Sequence, residues 1–232
     1  MRSPSRSALV VPLAVAFAGI LLLPACGGGE DEEAAKTSDE RPAATETDKG
    51  GEPGAEGGGG GRGGSCQLRW LGAASKPIEI KVTARGADLV SKEISEGAQV
   101  PLILPPQGGR VMFIGVLATN LSPCSVEING TLRDLGSNET RVDGRKTNLA
   151  TTADGWGSSV DTDISTFSMI PTCPNQWAST DVFGHTFELE LSITAKNGQM
   201  ASKKLNVTPV CGEPANEAEC KCQCTMGYTL GT

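Results

Sequence analysis

From Phe187 to Val210 the chain carries the alternation of a β-hairpin, and this stretch most restricts what the sequence can fold into. Phe187, Leu189, Leu191 and Ile193 are apolar at every second position, with Glu188, Glu190 and Thr194 on the other set. Asn197-Gly198 then offers a two-residue turn, and residues 201–210 return through Leu205 and Val207. Successive strand side chains point to opposite faces, so this period gives one face for a core and one for water. Asn-Gly accepts the left-handed backbone that tight hairpin turns need. A hairpin with one apolar face must be covered by a second layer, and the chain upstream has to supply it.

Upstream the same period recurs. Ile78, Ile80 and Val82 alternate with Glu79 and Lys81, which predicts a half-buried strand. Residues 100–104 are apolar up to Pro105-Pro106, and Pro101 within them predicts an edge strand, because proline cannot donate to a ladder. Gln107-Gly108-Gly109 reads as a turn. Residues 111–117 are apolar almost throughout, as in a central strand buried on both faces. Residues 125–132 alternate through Val126 and Ile128 and, less cleanly, Leu132; Asp143-Gly144 reads as a two-residue hairpin turn. Residues 162–170 follow a loop rich in Gly, Ser and Asp, and residues 91–97 offer at most a helical turn. No long helical period competes. The prediction is an all-β fold, an antiparallel β-sandwich of about 165 residues, large enough for one core. Its last 25 residues or so, a strand, Lys196-Asn197-Gly198 and a strand closing at Pro209, resemble the final hairpin of bacterial immunoglobulin-like domains.

The N-terminal part does not look like fold. Arg2 and Arg6 precede an apolar or small run over residues 8–23, which is shorter than a membrane-spanning helix wants. The run closes on Leu23-Pro24-Ala25-Cys26. That site resembles the lipobox of bacterial lipoproteins, with Leu three before the cysteine and a small residue one before. Pro24 departs from the small or hydroxylated residue usual in that family. The resemblance implies a signal peptide over residues 1–25 and lipidation of Cys26, which becomes the mature N-terminus anchored in the lipid bilayer. Two or three acyl chains give durable anchoring where one does not. Gly27, not Asp, follows the cysteine; by the sorting rules of Gram-negative lipoproteins this implies the outer membrane. The expected location is therefore the cell envelope.

Residues 26–65 read as a disordered tether. From Gly27 to Ser65 there are 13 Gly, 10 acidic and 4 basic residues with almost no large apolar side chain. Such a segment cannot bury enough surface to offset its ordering entropy, and as a flexible coil it spans about 35 Å. Net charge is −7, and −9 once residues 1–25 are removed. Phosphate neutralisation needs clustered Lys and Arg, so no nucleic-acid partner is expected.

After Cys26, seven cysteines remain: Cys66, Cys124, Cys173, Cys211, Cys220, Cys222 and Cys224. All are disulfide candidates for an oxidising compartment, and an odd number leaves one thiol over. The head is expected over residues 66–211, with Cys66, Cys124, Cys173 and Cys211 stapling strand ends. Residues 212–232 form a Cys-rich hook folded back on the sandwich, in which Cys220, Cys222 and Cys224 reach elsewhere instead of pairing together. The Cys-x-Cys and Gly227-Tyr228 of the tail also resemble the end of epidermal-growth-factor-like modules, without the rest of that framework. An alternative is a soft-metal or thiol-redox site, since three thiolates at alternate positions suit copper(I) or zinc.

The single histidine, His185, has no nucleophile and orienting carboxylate placed around it in sequence, and neither a Gly-x-Ser-x-Gly elbow nor His-Glu-x-x-His occurs. The chain is read as a non-enzyme without a cofactor or a resident metal; a hydrolase using His185 is the remote alternative. Binding-loop candidates are Asp154, Trp156, Asp161 and Asp163. Trp156 lies between two glycines that would display it at a loop tip, whereas core or anchoring roles suit Trp70 and Trp177. The expected role is binding or structural, toward a protein or cell-envelope partner.

Overall fold

The computed structural model describes residues 66–229. The expected signal peptide, Cys26 and the expected tether lie outside the described residues, as do the last three.

Eleven strands form two sheets. The first sheet holds β1 (Glu79–Arg85), β2 (Ser91–Glu93), β4 (Arg110–Thr119), β7 (Ala150–Thr151), β8 (Gly157–Ser158) and β9 (Ser168–Cys173). Its order is β2-β1-β4-β8-β7, with β9 also paired to β4. The second sheet runs β3-β11-β10-β5-β6, from β3 (Ala98–Leu102), β11 (Met200–Cys211), β10 (Phe187–Thr194), β5 (Val126–Asp134) and β6 (Thr140–Thr147). The ladders are antiparallel except one: β3 runs parallel to β11.

The alternation read from the sequence sets the core. Val82 and Ala84 on β1 and Met112, Ile114, Val116 and Ala118 on β4 face Val126, Ile128, Leu132 and the four apolar residues of β10 in one buried cluster. β4 is the central strand expected, and β3 the edge strand that Pro101 predicts. Two glycines fit where a side chain would collide. A Cβ on Gly115 would meet the Phe167 ring and the Thr83 hydroxyl at 2.7 Å, and one on Gly130 would meet Ser168 Oγ at 2.5 Å. Gly130 thus accounts for the interruption of the β5 pattern before Leu132.

Three local expectations are corrected. Asp143-Gly144 is not a turn: both residues lie within β6, and the chain reverses over residues 135–139. Asp134 builds that turn, accepting from the Gly136 and Ser137 amides and the Ser137 hydroxyl. Within β6 the Asp143 carboxylate is spent on Met169 N–H (2.8 Å), tying the edge of the second sheet to the first. Of residues 91–97, Ser91–Glu93 form a strand, β2, because they pair with the end of β1. In residues 162–170 a 3-10 turn (Ile164–Thr166) precedes β9.

The tail is a hook, as expected, but a helical one: α1 (Glu217–Cys224). Cys220 and Cys224, one turn apart, bond Cys211 and Cys173 respectively, and Cys66 bonds Cys124. Cys222 is disulfide-bonded as well, so the leftover thiol is contradicted: among the described residues no cysteine is free. Arg110, fully buried on β4, draws the tail inward through Glu213 (3.0 Å), Glu219 (3.5 Å) and the Asn216 carbonyl (3.5 Å).

Candidate functional site

Where the first sheet turns its back on the core, β1, β2, β4 and the β7–β8 hairpin enclose a cleft of about 230 Å³. Residues at even positions of β1 and β4 face the core, so Thr83 and Leu117 face outward. Thr83 and Leu117 line the cleft with Ser91, Glu93, Ser159 and Asp161. Register explains the company: Thr83 pairs with Glu93, and Arg85 with Ser91. Two carboxylates and several hydroxyls therefore converge on a single sheet face.

Asp161 is the sequence candidate that lines this cleft, its carboxylate accepting from Ser91 N–H (3.2 Å) and from the Ser91 hydroxyl. Trp156 and Asp154 sit beside it on the β7–β8 turn. Thr152, another lining residue, contacts the Asp154 carboxylate and the Trp156 carbonyl. The Thr152 hydroxyl, helped by the Trp156 amide, holds Asp154 below the usual carboxylate range against a smaller upward push from desolvation. Trp156 is half-buried, with Lys81 Nζ 5.4 Å above its ring, and Lys81 in turn pairs with Glu93 at 3.1 Å. An aromatic face, a cation and the acidic wall of the cleft are thereby connected. Gly155 lets the turn close, with a φ of 81° and open space where a Cβ would stand.

Asp163 does not join this group. It caps the 3-10 turn, accepting from Ser165 N–H (3.0 Å) and the Ser165 hydroxyl (2.7 Å). It lines a different, shallower groove of about 580 Å³ with Leu68, Ser125, Lys146, Asn148 and Ser165. That groove is larger but more open, and its two charged groups, Lys146 and Asp163, are of opposite sign where the cleft has two carboxylates. Among the described residues no three His, Cys, Asp or Glu side chains are arranged to hold a metal ion. Cys220, Cys222 and Cys224 are all oxidised and offer no thiolate to one. His185 is exposed, its Nδ1 3.3 Å from the Phe183 carbonyl two residues before it. Trp177 is buried, donating to the Thr172 carbonyl and tilted against Phe187, whereas Trp70 is exposed.

Sequence reasoning missed Thr83, Ser91 and Glu93. The signal was present in Ser91-Lys92-Glu93, which alternates like a strand, but three residues are too few for a period to stand out. Comparison with protein-family models, with curated proteins and with solved structures found no match to this chain.

Proposed function

We propose that the chain is a lipoprotein of the cell envelope, anchored through a lipid on Cys26, with a non-catalytic binding head held off the membrane by residues 26–65. The supporting observation is the cleft on the first sheet, where Glu93, Asp161 and the hydroxyls of Thr83, Ser91 and Ser159 converge beside Trp156. Hydroxyls and carboxylates on a rigid sheet, with an aromatic ring at the rim, suit a hydroxyl-rich ligand such as an envelope glycan, which exchanges hydrogen bonds on its edges and stacks its apolar face. Disulfides at three places in the head keep that framework rigid, which lowers the ordering cost of binding.

The test is NMR titration of the mature, isotopically labelled chain with a soluble peptidoglycan digest. The reading expects saturable shifts at the amides of Ser91, Glu93 and Asp161 and at the Trp156 indole, weakened at least about tenfold by Trp156→Ala. Shifts confined to the second sheet, or none, would count against it.

A further inference from the structure

Two arginines of the head are buried, and their surroundings differ. Arg110 is met by two carboxylates and a carbonyl. The side chain of Arg85, a residue 7% exposed, has neither an ion pair nor a hydrogen bond among the described residues; its Nε is buried without a partner, as Arg110 Nε also is, but Arg85 lacks the carboxylates that meet the Arg110 terminal nitrogens. Its one polar compensation is the Phe113 ring, 5.5 Å from the guanidinium carbon. Nε alone of this guanidinium is buried outright, yet a largely desolvated guanidinium without an anion is still costly, and native proteins seldom leave one so.

Arg85 lies on the outer face of the first sheet, at the end of β1, between Ser91 on β2 and Phe113 on β4. Around Phe113 lies an apolar cluster separate from the main core: Ile103 and Phe167 are buried in it, Val111 and Met169 only partly. The β1–β2 turn that follows Arg85 leaves Leu89 and Val90 57% and 46% exposed. Asp161 is the acid that Ser91, the ladder partner of Arg85, brings near, but its carboxylate is engaged by Ser91 and forms no ion pair with Arg85. The row therefore holds a cation with unspent donors, an aromatic ring on one side of it, and apolar surface beyond.

We propose that Arg85 is the anion-binding residue of a ligand site for a carboxylate carried on an apolar body, distinct from the polar cleft beside it. The planar guanidinium takes a carboxylate through two parallel N–H donors, and the partly exposed Val111 and Met169 at the edge of the Phe113 cluster receive the apolar part. Occupancy would partner the buried Nε–H and supply the missing anion, whereas an uncharged amide offers a single carbonyl acceptor and no charge. The site stands on Arg85 and its neighbours and requires neither the lipid anchor nor the glycan reading.

The test follows the Arg85 side-chain Nε–Hε resonance in the mature chain during titration with phenylacetate, phenylacetamide and acetate. Phenylacetate should shift that resonance saturably. Phenylacetamide, which lacks the charge, and acetate, which lacks the apolar body, should each bind at least about tenfold more weakly. Arg85→Met should weaken phenylacetate by about 30-fold or more while raising the melting temperature, since it removes an uncompensated buried charge. Trp156→Ala should leave phenylacetate binding unchanged, which separates this site from the cleft. Equal binding of phenylacetate and phenylacetamide would overturn the proposal. So would retention of affinity in Arg85→Met, or the absence of any saturable shift in the wild-type chain, a result that does not depend on how a variant folds.

Discussion

Replacing Glu213 by Gln should destabilise the head far more than removing the arginine it serves. Glu213 Oε2 accepts from Arg110 Nη1 at 3.0 Å and from the Leu104 amide at 2.8 Å, and Arg110 has no exposure of its own. The substituted glutamine keeps the shape and an acceptor but removes the charge, leaving a buried guanidinium short of its main counter-ion. Breaking a buried pair from one side costs about 3–5 kcal/mol. Two features reduce this here: the Glu213 side chain is 23% exposed, and Glu219 stands 3.5 Å from the other Arg110 nitrogen. The disulfides Cys211–Cys220 and Cys173–Cys224 hold the tail in place regardless, so the loss falls on the unpaired charge. The expected cost is about 2–3 kcal/mol. Arg110→Met removes the charge together with its need for a partner and should cost less than about 1 kcal/mol. Urea unfolding of the non-reduced chain, followed by circular dichroism, measures both. With a slope of about 2 kcal/mol/M, Glu213→Gln lowers the midpoint by about 1 M. The reasoning fails if Glu213→Gln unfolds with the wild type, or if Arg110→Met is as damaging as Glu213→Gln.

Other perturbations follow from the same contacts. Burial pushes the Asp134 carboxyl up, but hydrogen bonds from Ser137, Ser179 and Gly136 outweigh it and hold the group well below the usual carboxylate range. Because its folded value is depressed, its contribution is present above the ordinary value of 3.8 and is lost as pH falls below that toward the folded value. Asp134→Asn should therefore cost about 2 kcal/mol at neutral pH and flatten the acid limb of stability below pH 3.8, as read by urea midpoints across pH. Gly115→Ala places a methyl 2.7 Å from the Phe167 ring and the Thr83 hydroxyl in the central strand; thermal unfolding should report a loss of about 1–3 kcal/mol.

Long-period features of the fold are legible in the sequence because each rests on many side chains agreeing. Four alternating apolar residues and Asn197-Gly198 specify the β10–β11 hairpin, and the continuous run on β4 specifies a strand covered on both faces. Short-range signals mislead where a distant partner decides the outcome. Asp143-Gly144 has the composition of a turn, yet Asp143 is held in a strand by Met169, 26 residues away. Ser91 to Glu93 carry too little pattern to declare a strand until β1 pairs with them. The tail helix is equally non-local, since its face is chosen by Cys211 and Cys173 and by Arg110 on β4. Of the binding-loop residues, Asp161 is visible in the sequence as an acid in a loop. What joins it to Glu93 and Thr83 is its bonding to Ser91 on β2 together with the β1–β2 register, and what separates Asp163 from it is a cap on a 3-10 turn. The first cannot be read from neighbours in sequence; the second is local, an Asp capping through Ser165 two residues on.

The central claim is that this head is held at a membrane by Cys26, and intact and peptide mass spectrometry of the non-reduced mature protein tests it most directly. Cys26 sulfur can be a thioether to lipid or part of a disulfide, not both; the other six cysteines of the described residues pair among themselves, so with Cys26 lipidated the disulfide of Cys222 must go to a cysteine of another molecule. The account predicts a mature chain beginning at Cys26, with acylglycerol mass on the N-terminal peptide. An N-terminus elsewhere, or a peptide in which unlipidated Cys26 is disulfide-linked to Cys222, would contradict it.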